Sequence, residues 1–446
     1  MKNTLTTLFL SFTFVCAFAQ KNPQALGTKT LYKPLQQKYA AVPNGYEVAY
    51  INYVGRHGAR HLTKDVAKSF AWKVLLKADS LNELTSAGKE LKTAVVNLQK
   101  VEIKHLESIS VVGAKELENI AKRLYLNQKS LFKSDVKLLV ATTKKGRTKE
   151  SAEAFLTGLK QEDPNAVKDV KFNYADDDNL RFHDFSKTYD EFKESGSWLK
   201  TYNQLTKALN LEALTANFTS KFFTTGFYKG LSALDKANFT DDICGFYGIL
   251  PAIPAEIKAN GFTANDINLK AFFAVNDLAK LGKINDAEDF LKKAPGTNND
   301  GIQVKIAATL LADFIKSTDA FIKSKPYTAD LRFAHAETIA PFAAILNLNG
   351  ASTATNNILT FDKIWKAEEV VPFSSNIQWI FYKQSGKPNY LVKFMLNERE
   401  VAINGLTTKT FPYYNWIAVR KFYMQKLNKY GYKLDGNAHE YLLNVK

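Results

Sequence analysis

The sequence predicts an α/β protein in which a doubly wound sheet lobe is interrupted by a second, mostly helical lobe. Three observations predict it. Apolar or alternating segments at 47–55, 136–142 and 331–334 each pass through a short polar loop into a helical pattern. From about 185 to 325 strand signals give way to successive amphipathic helices, as at 197–210 and 302–323. Strand patterns return at 376–382 and 390–396, and a helix over 414–430 follows. With 446 residues, 46% of them hydrophobic, the chain exceeds one compact domain of ordinary size. Two lobes are expected: α/β over 20–184 and 326–446, helical over 185–325.

The first strand sets Val48, Tyr50, Asn52 and Val54 against Ala49, Ile51 and Tyr53, then runs into Arg56-His57-Gly58-Ala59-Arg60 and a helix expected over 65–80. The second passes through the loop at 144–146 into a helix over 147–160. The third ends in His335-Ala336-Glu337 and a helix over 338–346, with Pro341 in its first turn. Ligands of open α/β sheets bind beyond the carboxyl ends of the strands, so these three junctions are expected to share one pocket.

Residues 1–19 combine an early lysine, an apolar run and Ala17-Phe18-Ala19, the layout of a secretory signal cleaved near Ala19. Export to the periplasm or beyond is expected, and a buried N-terminal helix is the alternative. The run is too short to span a bilayer, and no other segment reads as a membrane span. Cleavage would remove Cys16 and leave Cys244 alone, so packing rather than an internal disulfide must stabilise the mature chain. Cys244 sits in an apolar stretch that suits a buried, inert thiol.

The net charge of +16 favours an anionic partner, although a solvated lysine-rich surface accounts for much of such an excess. The lysines are dispersed, with no basic arm and no nucleic-acid module, which points to a small polyanion rather than nucleic acid. The chain carries no Walker loop, nucleophile elbow or dinucleotide fingerprint. No cofactor and no metal are expected.

Arg56 and Arg60 flank an imidazole, and guanidinium forks match phosphate oxygens in shape and charge. Gly58 lets the backbone turn tightly there. An imidazole nitrogen beside a phosphate held in this way can attack phosphorus and form a phosphohistidine. The neighbouring positive charges favour the neutral, nucleophilic ring. His335 can donate to a phosphoryl oxygen while Glu337 protonates the leaving alcohol. Arg147 opens the second helix, whose N-terminus also favours an anion.

In this order the three motifs resemble those of the histidine acid phosphatases, over nearly the whole mature chain. The likeness is closer to multiple inositol polyphosphate phosphatases, which have His-Ala-Glu where other members have His-Asp. Leu180-Arg181-Phe182-His183-Asp184, Pro372-Phe373-Ser374-Ser375-Asn376 and Leu396-Asn397-Glu398 are similar as well. The resemblance implies His57 as nucleophile, Glu337 as proton donor, and Arg56, Arg60, Arg147 and His335 as phosphate ligands. It suggests Arg181 near neighbouring phosphates, and Lys29 and Tyr32 at the pocket entrance. The substrate it implies is an inositol polyphosphate such as phytate. One departure is Leu62, where the family often has proline.

Other readings remain at this point. His57, His61, His335 and Glu337 could be imagined as a zinc site, although Gly58 and the preceding strand put the first pair in a loop rather than on a helix. A polyanion-binding protein without turnover, a mutase and a broad-specificity phosphomonoesterase are the others.

Overall fold

The computed structural model describes residues 25–34, 38–133, 135–174 and 177–446, so the expected signal at 1–19 lies outside the described residues. One sheet organises the chain. Its strands are β1 (Tyr46–Arg56), β2 (Lys137–Thr142), β3 (Asp169–Tyr174), β4 (Ala329–Ala334), β5 (Asn376–Gln384), β6 (Tyr390–Leu396), β7 (Arg399–Glu400) and β8 (Tyr413–Asn415). They lie in the order β3-β2-β4-β1-β5-β6-β7, with β8 also against β6. The first four in that order run parallel. β5 is antiparallel to β1 and continues the sheet through antiparallel neighbours.

Both faces of the parallel half are covered, which is why β4 is buried along its whole length instead of alternating. On one face the helices Val111–Asn127 and Gly146–Glu162 pack Leu117, Ile120, Phe155 and Leu159 against Ile51, Tyr53, Leu331 and Phe333. On the other, Ala308–Ser324, Ala336–Ile345 and Trp416–Lys429 bring Phe314, Phe342 and Tyr423 onto Val54, Trp379 and Phe381. The chain is therefore doubly wound, as the sequence predicts. Some buried polar residues of the sheet pair across strands and helices: Tyr50 donates to Asp330 at 2.7 Å, and Arg332 donates to Asp313 at 2.8 Å and to Asn52 at 2.6 Å.

A separate apolar core lies off the sheet. It joins the helices Phe70–Ser80 and Ser86–Glu102 to the segment from Phe218 to Leu281, through Leu75, Leu91, Leu98, Phe222, Phe239 and Ile243. Among the described residues, 185–325 contains no strand. No helix among the described residues is long and apolar enough to cross a membrane.

The helix expected over 302–323 is two, Ile302–Lys305 and Ala308–Ser324, and three further elements differ from expectation in ways that local chemistry explains. The helix expected over 65–80 is divided at Ser69, whose hydroxyl accepts from Trp72 N–H and starts a new helix after the short turn Val66–Lys68. β4 begins two residues earlier than its apolar run, because Ala329 and Asp330 pair on both sides. The helix carrying Glu337 begins at Ala336, so Pro341 falls beyond its first turn. Lacking an N–H, Pro341 gives the Glu337 carbonyl no helical donor.

Register places the site. Arg56 lies beside Ala334, and Thr142 beside Phe333, so the carboxyl ends of β1, β4 and β2 are adjacent.

Candidate active site

The loop leaving β1 is fixed from several sides. Arg56 N–H donates to Ser375 O at 2.7 Å, His57 N–H to Ala334 O at 3.0 Å, and Ser374 N–H to His57 O at 3.1 Å. Ser151, on the helix after β2, accepts from Gly58 N–H at 3.1 Å. The buried carboxylate of Glu116 accepts from Ala59 N–H at 3.1 Å, Tyr32 N–H at 2.7 Å and the Ser374 hydroxyl at 2.7 Å. Gly58 is required by close approach: a Cβ there would stand 2.6 Å from the carbonyl oxygen of Gly113. A Cβ on Gly113 would stand 2.0 Å from that of Ala59, so the two backbones interlock.

His57 is only 3% exposed. Its Nδ1 lies 2.9 Å from the carbonyl oxygen of Gly58, which can only accept, so Nδ1 carries the hydrogen and Nε2 keeps its lone pair. Burial, and then the charges of Arg56 and Arg60, hold the ring well below the usual imidazole range. The neutral ring thus presents the one nitrogen that can attack an electrophile.

Three guanidiniums surround it incompletely satisfied. Arg56 is anchored by the carbonyls of Thr28 and Val371 and stacks over Phe373 at 4.6 Å. Arg60 donates to His61 O at 2.8 Å, and Arg147 pairs with Glu107 at 3.1 Å. The Nε atoms of all three are buried without a hydrogen-bond partner. Burial, followed by the charge of Arg60, pushes Arg56 down to about 9, and burial, followed by the charge of Arg147, pushes Arg60 down to about 10. Crowded, desolvated cations with unused donors form a receptor for a compact anion.

His335 caps the approach from β4. Its ring centroid is 5.8 Å from that of His57, Arg147 Nη2 donates to its Nδ1 at 3.3 Å, and its Nε2 lies 3.1 Å from the Thr143 hydroxyl. Both ring nitrogens are therefore engaged within the protein. Glu337 follows in the first turn of the helix, its side chain 39% exposed, with Oε1 3.2 Å from Lys293 Nζ. Its partial burial works to raise the carboxyl, but Lys293, His183 and His335 outweigh it and hold Glu337 well below the usual range.

The remaining expected residues are more dispersed. Arg181 is paired with Asp184, and the adjacent His183 has its ring 6.2 Å from that of His335, with a buried Nδ1 lacking a partner. Lys29 donates to Gly245 O at 3.2 Å and lines a cavity of about 300 Å³ with Asp241, Cys244, Asp289 and Lys293. Tyr32 does not stand at an entrance: it is buried, with its hydroxyl on Glu398 at 2.8 Å. There it joins Asn376, Arg123 and Glu398 in a network behind the loop.

The four residues imagined around zinc do not converge. His61 turns away, with Nδ1 on Glu102 at 2.8 Å and its ring stacked on His105. Leu62 N–H donates to the same Glu102 at 2.7 Å, a bond that proline at this position would lack. Among the described residues, no three His, Cys, Asp or Glu side chains are grouped to hold an ion.

Sequence reading missed Glu116, Lys293 and Thr143. Each acts on the site through partners far away in the chain, and none lies in a short motif. His183 was in view, within the segment around Arg181.

Known proteins resemble this chain in sequence and in fold. A family model for the histidine phosphatase superfamily (branch 2) matches residues 47–397. Multiple inositol polyphosphate phosphatase 1 of Gallus gallus is 23% identical over 321 residues, which cover 66% of this chain and 64% of that protein. The match thus spans somewhat under two thirds of that relative's length. The multiple inositol polyphosphate phosphatase of Bifidobacterium longum, solved in complex with inositol hexasulfate, superposes with a TM-score of 0.77 at 20% identity, covering 89% of this chain and 96% of that one. The phytase from D. castellii gives 0.65 at 15% identity over 95% and 88% of the two chains. At these identities the likeness establishes the fold.

Proposed function

The chain belongs to branch 2 of the histidine phosphatase superfamily, and from that premise we propose that it hydrolyses phosphate monoesters of inositol polyphosphates, phytate foremost, through a phosphohistidine on His57. The observation that carries this reading is the neutral His57 ring, with Nε2 left free, among three guanidiniums whose Nε donors are unused. The names of the relatives from Gallus gallus and Bifidobacterium longum, and the inositol hexasulfate bound by the latter, support the substrate class. The net charge of +16 suits a polyanion.

In the first step His57 Nε2 attacks phosphorus in line and the bond from phosphorus to the ester oxygen breaks. Glu337 delivers its proton to the departing alkoxide, and Arg56, Arg60, Arg147 and His335 hold the transferring oxygens. In the second, water attacks the phosphohistidine, Glu337 takes the water's proton, and His57 leaves as the neutral ring. Glu337 must therefore be protonated when an ester arrives, and the substrate's own negative charge helps by opposing Lys293. Residues 1–19 would direct the protein out of the cytoplasm, with a mature chain beginning near Gln20.

The test is phosphate release by the purified mature protein from phytate and from an aryl phosphate, with and without a chelator, beside a rapid acid- or base-quench with radiolabelled substrate. Chelator-resistant release favouring phytate, with an acid-labile label lost in His57→Ala, supports the reading. Release from the aryl ester alone would mean a broad-specificity phosphatase, and chelator sensitivity would mean metal-assisted hydrolysis. Activity retained in His57→Ala would sink the phosphohistidine.

A further inference from the structure

Thr143, at the end of β2, lies outside every motif considered above, yet its buried hydroxyl touches His335. The proton positions in this contact can be deduced. Thr148 has one hydroxyl hydrogen, and its oxygen sits 2.7 Å from the carbonyl of Lys145 and 3.2 Å from that of Thr143, which can only accept. In the 2.9 Å contact between the two hydroxyls, Thr143 is therefore the donor. With its hydrogen committed, Thr143 can only accept from His335 Nε2, at 3.1 Å. The far side of the ring agrees, because Arg147 Nη2 can only donate and so meets a lone pair on Nδ1.

We propose that Thr143 is a positioning residue that fixes the hydrogen of His335 on Nε2, so that Nδ1 meets an arriving phosphate as a lone pair and phosphate binding carries one proton onto the ring. This rests on the phosphate site described above. The proton comes from the O–H of a phosphate monoanion, or from solvent when the dianion binds. That O–H bond breaks, an N–H bond forms on Nδ1, and the resulting imidazolium donates to a phosphoryl oxygen while Nε2–H stays on Thr143.

The groups around His335 fit this exchange. Arg147 faces it from the helix after β2, Glu337 from its own helix, His183 and Arg181 from the segment before the helical stretch, and His57 from the end of β1. Burial and then Arg147 keep the empty ring neutral, and a phosphate placed against Arg147 reverses the sign of the local field. Removal of the acceptor leaves Nε2–H buried without a partner and only Arg147 to hold the tautomer, which weakens the preference for hydrogen on Nε2.

The experiment uses full mature protein labelled with ¹⁵N in its six histidines, as wild type, Thr143→Val and Thr143→Ser, with His335→Gln for assignment. Ring nitrogen spectra are recorded with and without inorganic phosphate, and proton uptake is measured by calorimetry in two buffers of different ionisation enthalpy. Expected are a bare Nδ1 in the free wild type, two protonated nitrogens with phosphate, and uptake of about one proton per dianion bound. Thr143→Val should weaken the tautomer preference, reduce the uptake and weaken phosphate binding about tenfold, the effect of one hydrogen bond to a charged group, while Thr143→Ser restores all three. A proton already on Nδ1 in the free protein, an unchanged ring with phosphate bound, or Thr143→Val matching wild type would overturn the assignment. If phosphate does not bind at all, the phosphatase reading fails, and the free-protein spectra of wild type and Thr143→Val still decide the role of Thr143.

Discussion

Lys293 Nζ lies 3.2 Å from Glu337 Oε1 and 2.8 Å from Asp289 Oδ1, so one ammonium is shared by the proposed proton donor and a second carboxylate. The two carboxylates in turn raise the lysine, while Lys293, set against burial, holds Glu337 well below the usual carboxylate range. An acid held ionised is inactive in the first step, and activity on an ester falls as pH rises through its pKa. Lys293→Met removes the opposing charge and raises that pKa. The alkaline limb of kcat/KM against pH for a simple alkyl phosphate should therefore move to higher pH. An unmoved limb would remove Glu337 from the role of acid.

Gly58→Ala tests whether the loop geometry matters. The new methyl meets backbone at 2.6 Å, not a side chain that can swing away, so the helix from Val111 or the loop must shift. A loss of about 1–3 kcal/mol in stability is expected from overpacking of this kind. Because displacement of a reacting group by even 1 Å can cost on the order of 10²-fold, activity should fall further than stability explains. Thermal unfolding and steady-state turnover of the same preparation separate the two.

Cys244 is the single free cysteine among the described residues, and burial pushes its thiol up to about 12. At pH 8 its thiolate fraction is smaller than that of an open thiol by a factor on the order of 10³. Native protein should react with iodoacetamide that much more slowly than protein in denaturant, and Tm should not respond to reductant. Fast native labelling would mean that the cavity beside Lys29 opens.

Ionic strength distinguishes a charge that steers substrate from one that is only soluble surface. With a net charge of +16, raised salt should lower kcat/KM for phytate more than for an aryl monophosphate, because screening acts on the product of the charges. Parallel declines would leave the lysine excess without a part in capture.

The strand ends and the residues on them were readable because parallel strands are short apolar runs and their loops carry the polar chemistry, as at Arg56-His57-Gly58 and His335-Ala336-Glu337. The break at Ser69 was missed in reading one helix over 65–80, although Asp65 and Ser69 each cap a turn there. Lys293 was not: it comes from a helix, Val275–Lys293, that reads as an ordinary charged surface helix until folding brings its last residue to Glu337. Tyr32 was misplaced for a similar reason, because nothing near residue 32 announces Glu398 as its partner. Local pattern specifies elements and their ends, whereas partners separated by hundreds of residues depend on the assembled fold.

The three donors that meet at Glu116 come from residues 57, 84 and 258 positions away in the chain. Until all have arrived, a carboxylate whose burial raises its pKa has no compensation, and it gains most by remaining hydrated. The pocket should therefore close last during folding, after the sheet and its helices have docked, and open first when the protein is stressed. Native-state hydrogen exchange offers a reading of that order: Ala59 N–H should exchange through an opening of lower free energy than the amides of β1. Equal protection would mean that sheet and pocket form in one step.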